Sequence, residues 1–99
     1  MENKFVISTT VEFQKWFKKQ DARTKDIVRS RFSRIQLFGH FGDCRYLNDG
    51  ASELKWKNGL RVYFTFHHKI GIVALLGGTK NGQKKDIKKA KEIISREHL

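Results

Sequence analysis

Apolar residues along this chain change their spacing once. Between residues 13 and 35 they recur at three and four positions, and from 43 to 76 they alternate with polar ones. The first spacing belongs to helices and the second to strands. Ahead of both, Lys4, Phe5, Val6 and Ile7 form a short strand candidate. Thr9 to Glu12 then carries the Ser/Thr-x-x-Glu pattern in which the two end side chains satisfy free amides at a helix start. Phe13, Trp16 and Phe17 follow at i, i+3 and i+4, setting three aromatics on one face of a helix that ends near Gln20. Asp21 caps a second helix with Ile27, Val28, Phe32 and Ile35 as its buried stripe, and Gly39 ends it. Arg29, Arg31 and Arg34, with Arg23 and Lys25, read mainly as its solvated face. So tight a connection predicts an antiparallel helical hairpin covering one face of a sheet.

Strands are expected at 43–47, 52–56, 60–67 and 70–76, separated by Asn48-Asp49-Gly50, Asn58-Gly59 and His68-Lys69. Connections this short make neighbours antiparallel. A last helix, capped by Asn81 or a neighbour, buries Ile87, Ala90 and Ile94 with Ile93 nearby and exposes Lys84, Lys85, Lys88, Lys89 and Lys91. There is no proline, repeat or low-complexity linker, so residues 1–99 read as one α+β domain: an N-terminal strand and helical hairpin on a mainly antiparallel sheet, closed by a C-terminal helix.

The hairpin at Asn58-Gly59 has two registers. A two-residue loop pairs Trp56 with Arg61 and Leu54 with Tyr63, mixing apolar and polar residues on one face. A three-residue loop of Lys57, Asn58 and Gly59, with Gly59 left-handed, pairs Trp56 with Leu60 and Leu54 with Val62. The second arrangement keeps the faces separate and is the one expected. It sets Lys55 opposite Arg61 and Glu53 opposite Tyr63 on the face away from the helices. Directly opposed like charges cost a few tenths to about 1 kcal/mol, which a bound anion relieves; the alternative is that Glu53 bridges to a cation and the face is solvated.

Composition sharpens this picture. Lys and Arg number 21 against 10 Asp and Glu, a formal charge of +11, as expected of a partner for a polyanion: nucleic acid, a membrane surface or an acidic protein. No apolar run approaches the roughly 18 residues of a spanning helix, and no signal-peptide core opens the chain, so a cytoplasmic protein without membrane contact is expected. Cys44, the only cysteine, reads as a strand residue and fits no zinc spacing. No cofactor or metal is expected.

Paired carboxylates, a Ser/His/Asp grouping and a Walker loop are all missing from the sequence. Gly77 to Gly82 is glycine-rich ahead of a helix but lacks the phosphate-loop spacing, and reads as a flexible connector. The cations carry more. Metal-free RNA cleavage needs a base for the 2′-hydroxyl, cations for the charge developing on phosphorus, and an acid for the leaving oxygen. Lys55, Arg61 and Lys80 supply cations, and a lysine beside another cation can have its pKa lowered toward acid or base use. Tyr63 can stack on a base, orient a phosphate or share in proton transfer. His67 and His68 suit acid and base work by type but lie at the far end of their strand from the Asn58-Gly59 turn.

The order Gly42, Asp43, Cys44, Arg45, Tyr46, Leu47, then Gly50, Glu53, Leu54, Lys55, Gly59, Leu60, Arg61, Val62, Tyr63, Leu75, Leu76, Lys80, Gln83, Asp86, Ile87 and Ala90 resembles the RelE/ParE toxin superfamily, particularly its HigB-like addiction-module-killer branch. The resemblance implies a microbial-RNase-like α+β toxin domain held inactive by a cognate antitoxin. Many such proteins are mRNA interferases that enter the ribosomal A site and cut the message to a cyclic phosphate with basic residues. By position, Lys55 and Lys57 match basic strand residues, Arg61 the phosphate-stabilising arginine, Lys80 the basic residue after the last strand, and Gln83 a position that caps the last helix. The tyrosine of the best-known relatives lies nearer the C-terminus than Tyr63, which leaves the general acid unassigned. The expectation is a type II toxin, a ribosome-dependent endoribonuclease, with Lys55, Arg61, Tyr63 and Lys80 catalytic and Arg45, Lys57, Lys84, Lys85 and Lys88 on the RNA. The alternatives are a ParE-like inhibitor of DNA gyrase and a non-catalytic basic nucleic-acid-binding module.

Overall fold

Each helix of the hairpin starts where a short polar side chain can replace a missing amide partner. The Thr10 hydroxyl accepts from the Phe13 amide at 3.0 Å, opening α1 (Val11–Lys18). This moves the expected cap by one residue. Glu12 does not reach back to it but pairs with Arg96 near the C-terminus of the chain. Asp21 accepts from the Thr24 amide at 2.8 Å and opens α2 (Ala22–Phe38), which Gly39 closes in the left-handed conformation at φ 69°.

The computed structural model describes residues 3–99, and these form the predicted α+β fold. Its sheet comprises β1 (Ile7–Thr9), β2 (Cys44–Tyr46), β3 (Ser52–Lys55), β4 (Leu60–His67) and β5 (Gly71–Thr79) in the order β1-β5-β4-β3-β2. The β1–β5 pair is parallel and the others are antiparallel. β1 lies later than expected because the Lys4 and Phe5 amides donate to the Gln36 carbonyl at the end of α2 instead of joining the sheet.

β5 runs three residues past its expected end, taking in Gly77, Gly78 and Thr79. The two glycines are therefore strand, not flexible connector, and packing explains them. A methyl group at Gly77 would overlap the Trp16 indole on one face, and one at Gly78 the Asp86 carboxylate on the other. A bulge at Leu75, between the Tyr63–Leu76 and Phe64–Ala74 pairs, keeps the two faces in phase along the strand.

Under α1 and α2 lies an apolar core that includes Phe13, Val28, Ile35, Leu54, Val62, Phe64, Ile72 and Ala74. α3 (Gln83–Glu97) covers the other face, where Ala90 and Ile93 meet Tyr63, Val73, Leu75 and Leu76; Ile87 and Ile94 are partly buried beside them. The face expected to lie away from the helices is thus a second core. α3 follows a 3-10 turn (Lys80–Gly82) and has Gly82 at its N-cap, with no side-chain cap, so Asn81 does not play that part.

Arg31 departs furthest from the solvated face assigned to it. It is buried, donating to the carbonyls of Phe41 at 3.0 Å and Lys55 at 3.1 Å while its guanidinium lies 4.3 Å from the centre of the Trp56 ring. One α2 cation thereby ties β3 to the hairpin.

Candidate functional site

The turn after β3 decides which cations meet. The Trp56 amide donates to the Leu60 carbonyl and the Gly59 amide to the Trp56 carbonyl, both at 3.1 Å, with Gly59 at φ 96°. Lys57, Asn58 and Gly59 therefore form the three-residue loop, with Leu54 opposite Val62, Lys55 opposite Arg61 and Glu53 opposite Tyr63. Across the sheet, Lys55, Arg61 and Gly78 make one row; Arg45, Glu53, Tyr63 and Leu76 make the next.

Arg61 is only 9% exposed. One terminal nitrogen donates to the Leu60 carbonyl at 3.0 Å and the Trp56 carbonyl at 3.3 Å, dipoles that offset the repulsion from Lys55, while Nε is buried without a partner among the described residues. Lys80 joins this end of the sheet from the next element. Its amide donates to the Gly59 carbonyl at 2.8 Å, and a methyl at Gly59 would stand 3.4 Å from its Cγ. Lys57 is exposed at the loop tip. The structure therefore gathers Lys55, Arg61, Lys80 and Lys57 around one turn.

In the second row Glu53 is 0% exposed and fully engaged. Arg45 donates to it at 2.8 Å and the Gln83 amide nitrogen reaches both carboxylate oxygens, at 3.1 and 2.9 Å. Gln83 thus holds β3 to α3 and is not a helix cap. Arg45, half-exposed on edge strand β2, is bound to that carboxylate. No spacing rule joins these three residues in sequence; only the register and the α3 packing do.

Tyr63 is likewise 0% exposed, so its ring has no face on which a base could stack. Among the described residues its hydroxyl has no hydrogen-bond partner. Burial, reinforced by the nearby carboxylates of Glu53 and Asp86, pushes the phenol far above its ordinary range, and Tyr63 stays a hydrogen-bond donor instead of a proton-transfer group. Asp86, unremarked by pattern reasoning except as part of the resemblance, enters this region from the first turn of α3 with its carboxylate over Gly78.

The remaining candidates lie apart. Lys84, Lys85 and Lys88 are exposed along the first two turns of α3. His67, at the far end of β4, accepts from the amides of Lys69 and Ile70, and its ring stacks on His68. Cys44 is an exposed residue of β2. A groove of about 550 Å³ between α1 and α2, lined by Lys15, Lys18, Lys25 and Arg29, belongs to the opposite side of the sheet from Arg61. Among the described residues no helix is long and apolar enough to cross a membrane.

Fold and site together define a small basic α+β domain with a cationic turn beside a buried, incompletely paired polar cluster. The chain belongs to the same family as an uncharacterized protein of Haemophilus influenzae, to which it is 41% identical over 88 residues, covering 86% of this chain and 88% of that one. No protein-family model and no solved structure matches the chain.

Proposed function

We propose that this protein is the toxin of a type II toxin–antitoxin module, acting as a ribosome-dependent mRNA interferase. The observation that carries the proposal is the Lys55–Arg61 pair opposite one another with Lys80 docked on the same turn. Three cations on adjacent backbone segments suit the charge that grows on a phosphodiester under attack by its own 2′-hydroxyl. The resemblance to RelE/ParE toxins and the net charge of +11 support the same reading. Its partners are then mRNA on the ribosome, with Lys57, Lys84, Lys85 and Lys88 along the RNA, and a cognate antitoxin, all in the cytoplasm.

Arg61 stabilises the phosphate, and Lys80 and Lys55 add charge at the turn; Tyr63, fully buried, supports the strand behind them. Toeprinting of a message on purified ribosomes tests this. The wild-type chain is expected to cut the message, and Arg61→Ala to slow cutting by about 10²–10³-fold. An uncut message, or unchanged cutting by the variant, overturns the proposal. An intact message combined with inhibition of gyrase supercoiling replaces it with a ParE-like poison, and salt-sensitive RNA binding without product replaces it with a binding module.

A further inference from the structure

The cations around Arg61 and the high-pKa phenol of Tyr63 leave the RNA leaving group without an acid. Asp86 is suitably located. Its carboxylate occupies the space over Gly78, the residue that pairs with Arg61, which in turn pairs with Lys55. Gly82 closes its other side, where a methyl would lie 3.3 Å from Oδ2. The absent side chain at position 78 is what admits a carboxyl into the row of the two cations. Among the described residues Asp86 accepts no hydrogen bond from a side chain and forms no ion pair, although Lys85 and Lys89 flank it on its own helix.

We infer that Asp86 is the general acid of the proposed nuclease, giving its carboxyl proton to the departing 5′-oxygen. The inference rests on the nuclease reading above. In the step, the 2′-oxygen forms a bond to phosphorus while its proton passes to water. The bond from phosphorus to the 5′-oxygen breaks, and that oxygen takes the proton of Asp86, leaving a 2′,3′-cyclic phosphate, a 5′-hydroxyl and a carboxylate that solvent reprotonates.

Burial biases this carboxyl toward its protonated form. Burial raises the pKa of Asp86 above the ordinary aspartate value, against the opposing pull of Lys85 and Lys89. The other charged and titratable groups of this region are Tyr63 and Arg61 on β4, Glu53 and Lys55 on β3, and Lys80 in the turn; the Glu53 charge is already matched by Arg45. A bound phosphodiester would add negative charge and raise the carboxyl pKa further. The alternative is that Asp86 serves only as a favourable first-turn acid on α3.

The test is single-turnover cutting of a ribosome-bound message by the full chain and by Asp86→Asn, which keeps the side-chain shape over Gly78. Two messages are compared, one with oxygen and one with sulfur bridging phosphorus to the leaving 5′-carbon. With oxygen the variant is expected to be about 10²-fold slower or more. With sulfur, whose thiolate leaves without a proton, it should match wild type. The wild-type rate on oxygen should fall as pH rises through the Asp86 pKa, a limb missing from the variant. Equal rates on oxygen, or a loss that sulfur does not repair, overturn the inference while leaving the nuclease standing. A wild-type chain that cuts neither message overturns the nuclease reading and the acid with it. An Asp86 carboxyl carbon resonance that titrates at the ordinary aspartate value in the wild-type protein also overturns it, independently of any variant.

Discussion

The two faces of the sheet differ in what α1 and α2 on one side, and α3 on the other, press onto them. Beneath α1 and α2 the strands present Leu54, Leu60, Val62, Phe64, Ile72 and Ala74 to aromatic side chains, with Phe13 within 5.8 Å of the rings of Trp16, Phe17 and Phe32. Beneath α3 the same strands bury Glu53, Arg61, Tyr63 and Thr65. The first face excludes water except where buried Arg31 meets the carbonyls of Phe41 and Lys55, and each fully buried large apolar side chain there adds roughly 1.5–3 kcal/mol. On the second, Thr65 donates to the Gly50 carbonyl and Glu53 is matched by Arg45 and Gln83, but Arg61 Nε and the Tyr63 hydroxyl have no partner among the described residues. Unmet buried polar groups oppose folding, so these two atoms mark where the second face is held less firmly than the first.

Substitutions on each face can break this contrast. Phe13→Ala should have the largest effect, destabilising the chain by about 3–5 kcal/mol in urea unfolding by emptying the dry face. Milder loss there would mean that the apolar core is less continuous than its ring packing suggests. Glu53→Ala should cost about 1.5–3 kcal/mol in the same measurement, because the charged hydrogen bonds from Arg45 and Gln83 join three elements. A near-neutral result would show that Arg45, half in solvent, loses little when freed.

Tyr63→Phe tests the unpaired hydroxyl directly. Removing a buried hydroxyl with no partner among the described residues should raise stability by about 1 kcal/mol in urea unfolding. Lower stability would point to an ordered water as its missing partner.

The smallest expected effect concerns pH. Asp86 has a raised carboxyl pKa in the fold, so its ionisation opposes folding: the penalty is full above the folded pKa, shrinks as pH falls through it, and vanishes below the unfolded value. Asp86→Asn should therefore be slightly more stable than wild type at neutral pH and equal to it in acid, as read by melting temperature across pH. A constant offset at all pH values would assign the difference to packing.

Both helix caps of the hairpin lay close to where the pattern set them, at Thr10 instead of Thr9 and at Asp21, because caps and apolar periodicity are local signals. The β3–β4 register was legible as well, since one choice alone keeps Leu54 and Val62 together, and the Lys55–Arg61 pairing came with it. Arg31 was not legible. Nothing in a helical stripe says that a cation will reach two carbonyls and an indole on another element.

By itself, then, the sequence determined element types, the order of the chain, the cationic turn and its register, all of which follow from spacing and from Gly59. Only the tertiary structure decided that α3 would cover the polar face, that Glu53 would be tied to Arg45 and Gln83, and that Gly77 and Gly78 would be strand. Those outcomes depend on which side chains meet across elements distant in sequence. A side chain at Gly77 would run into Trp16, and one at Gly78 into Asp86.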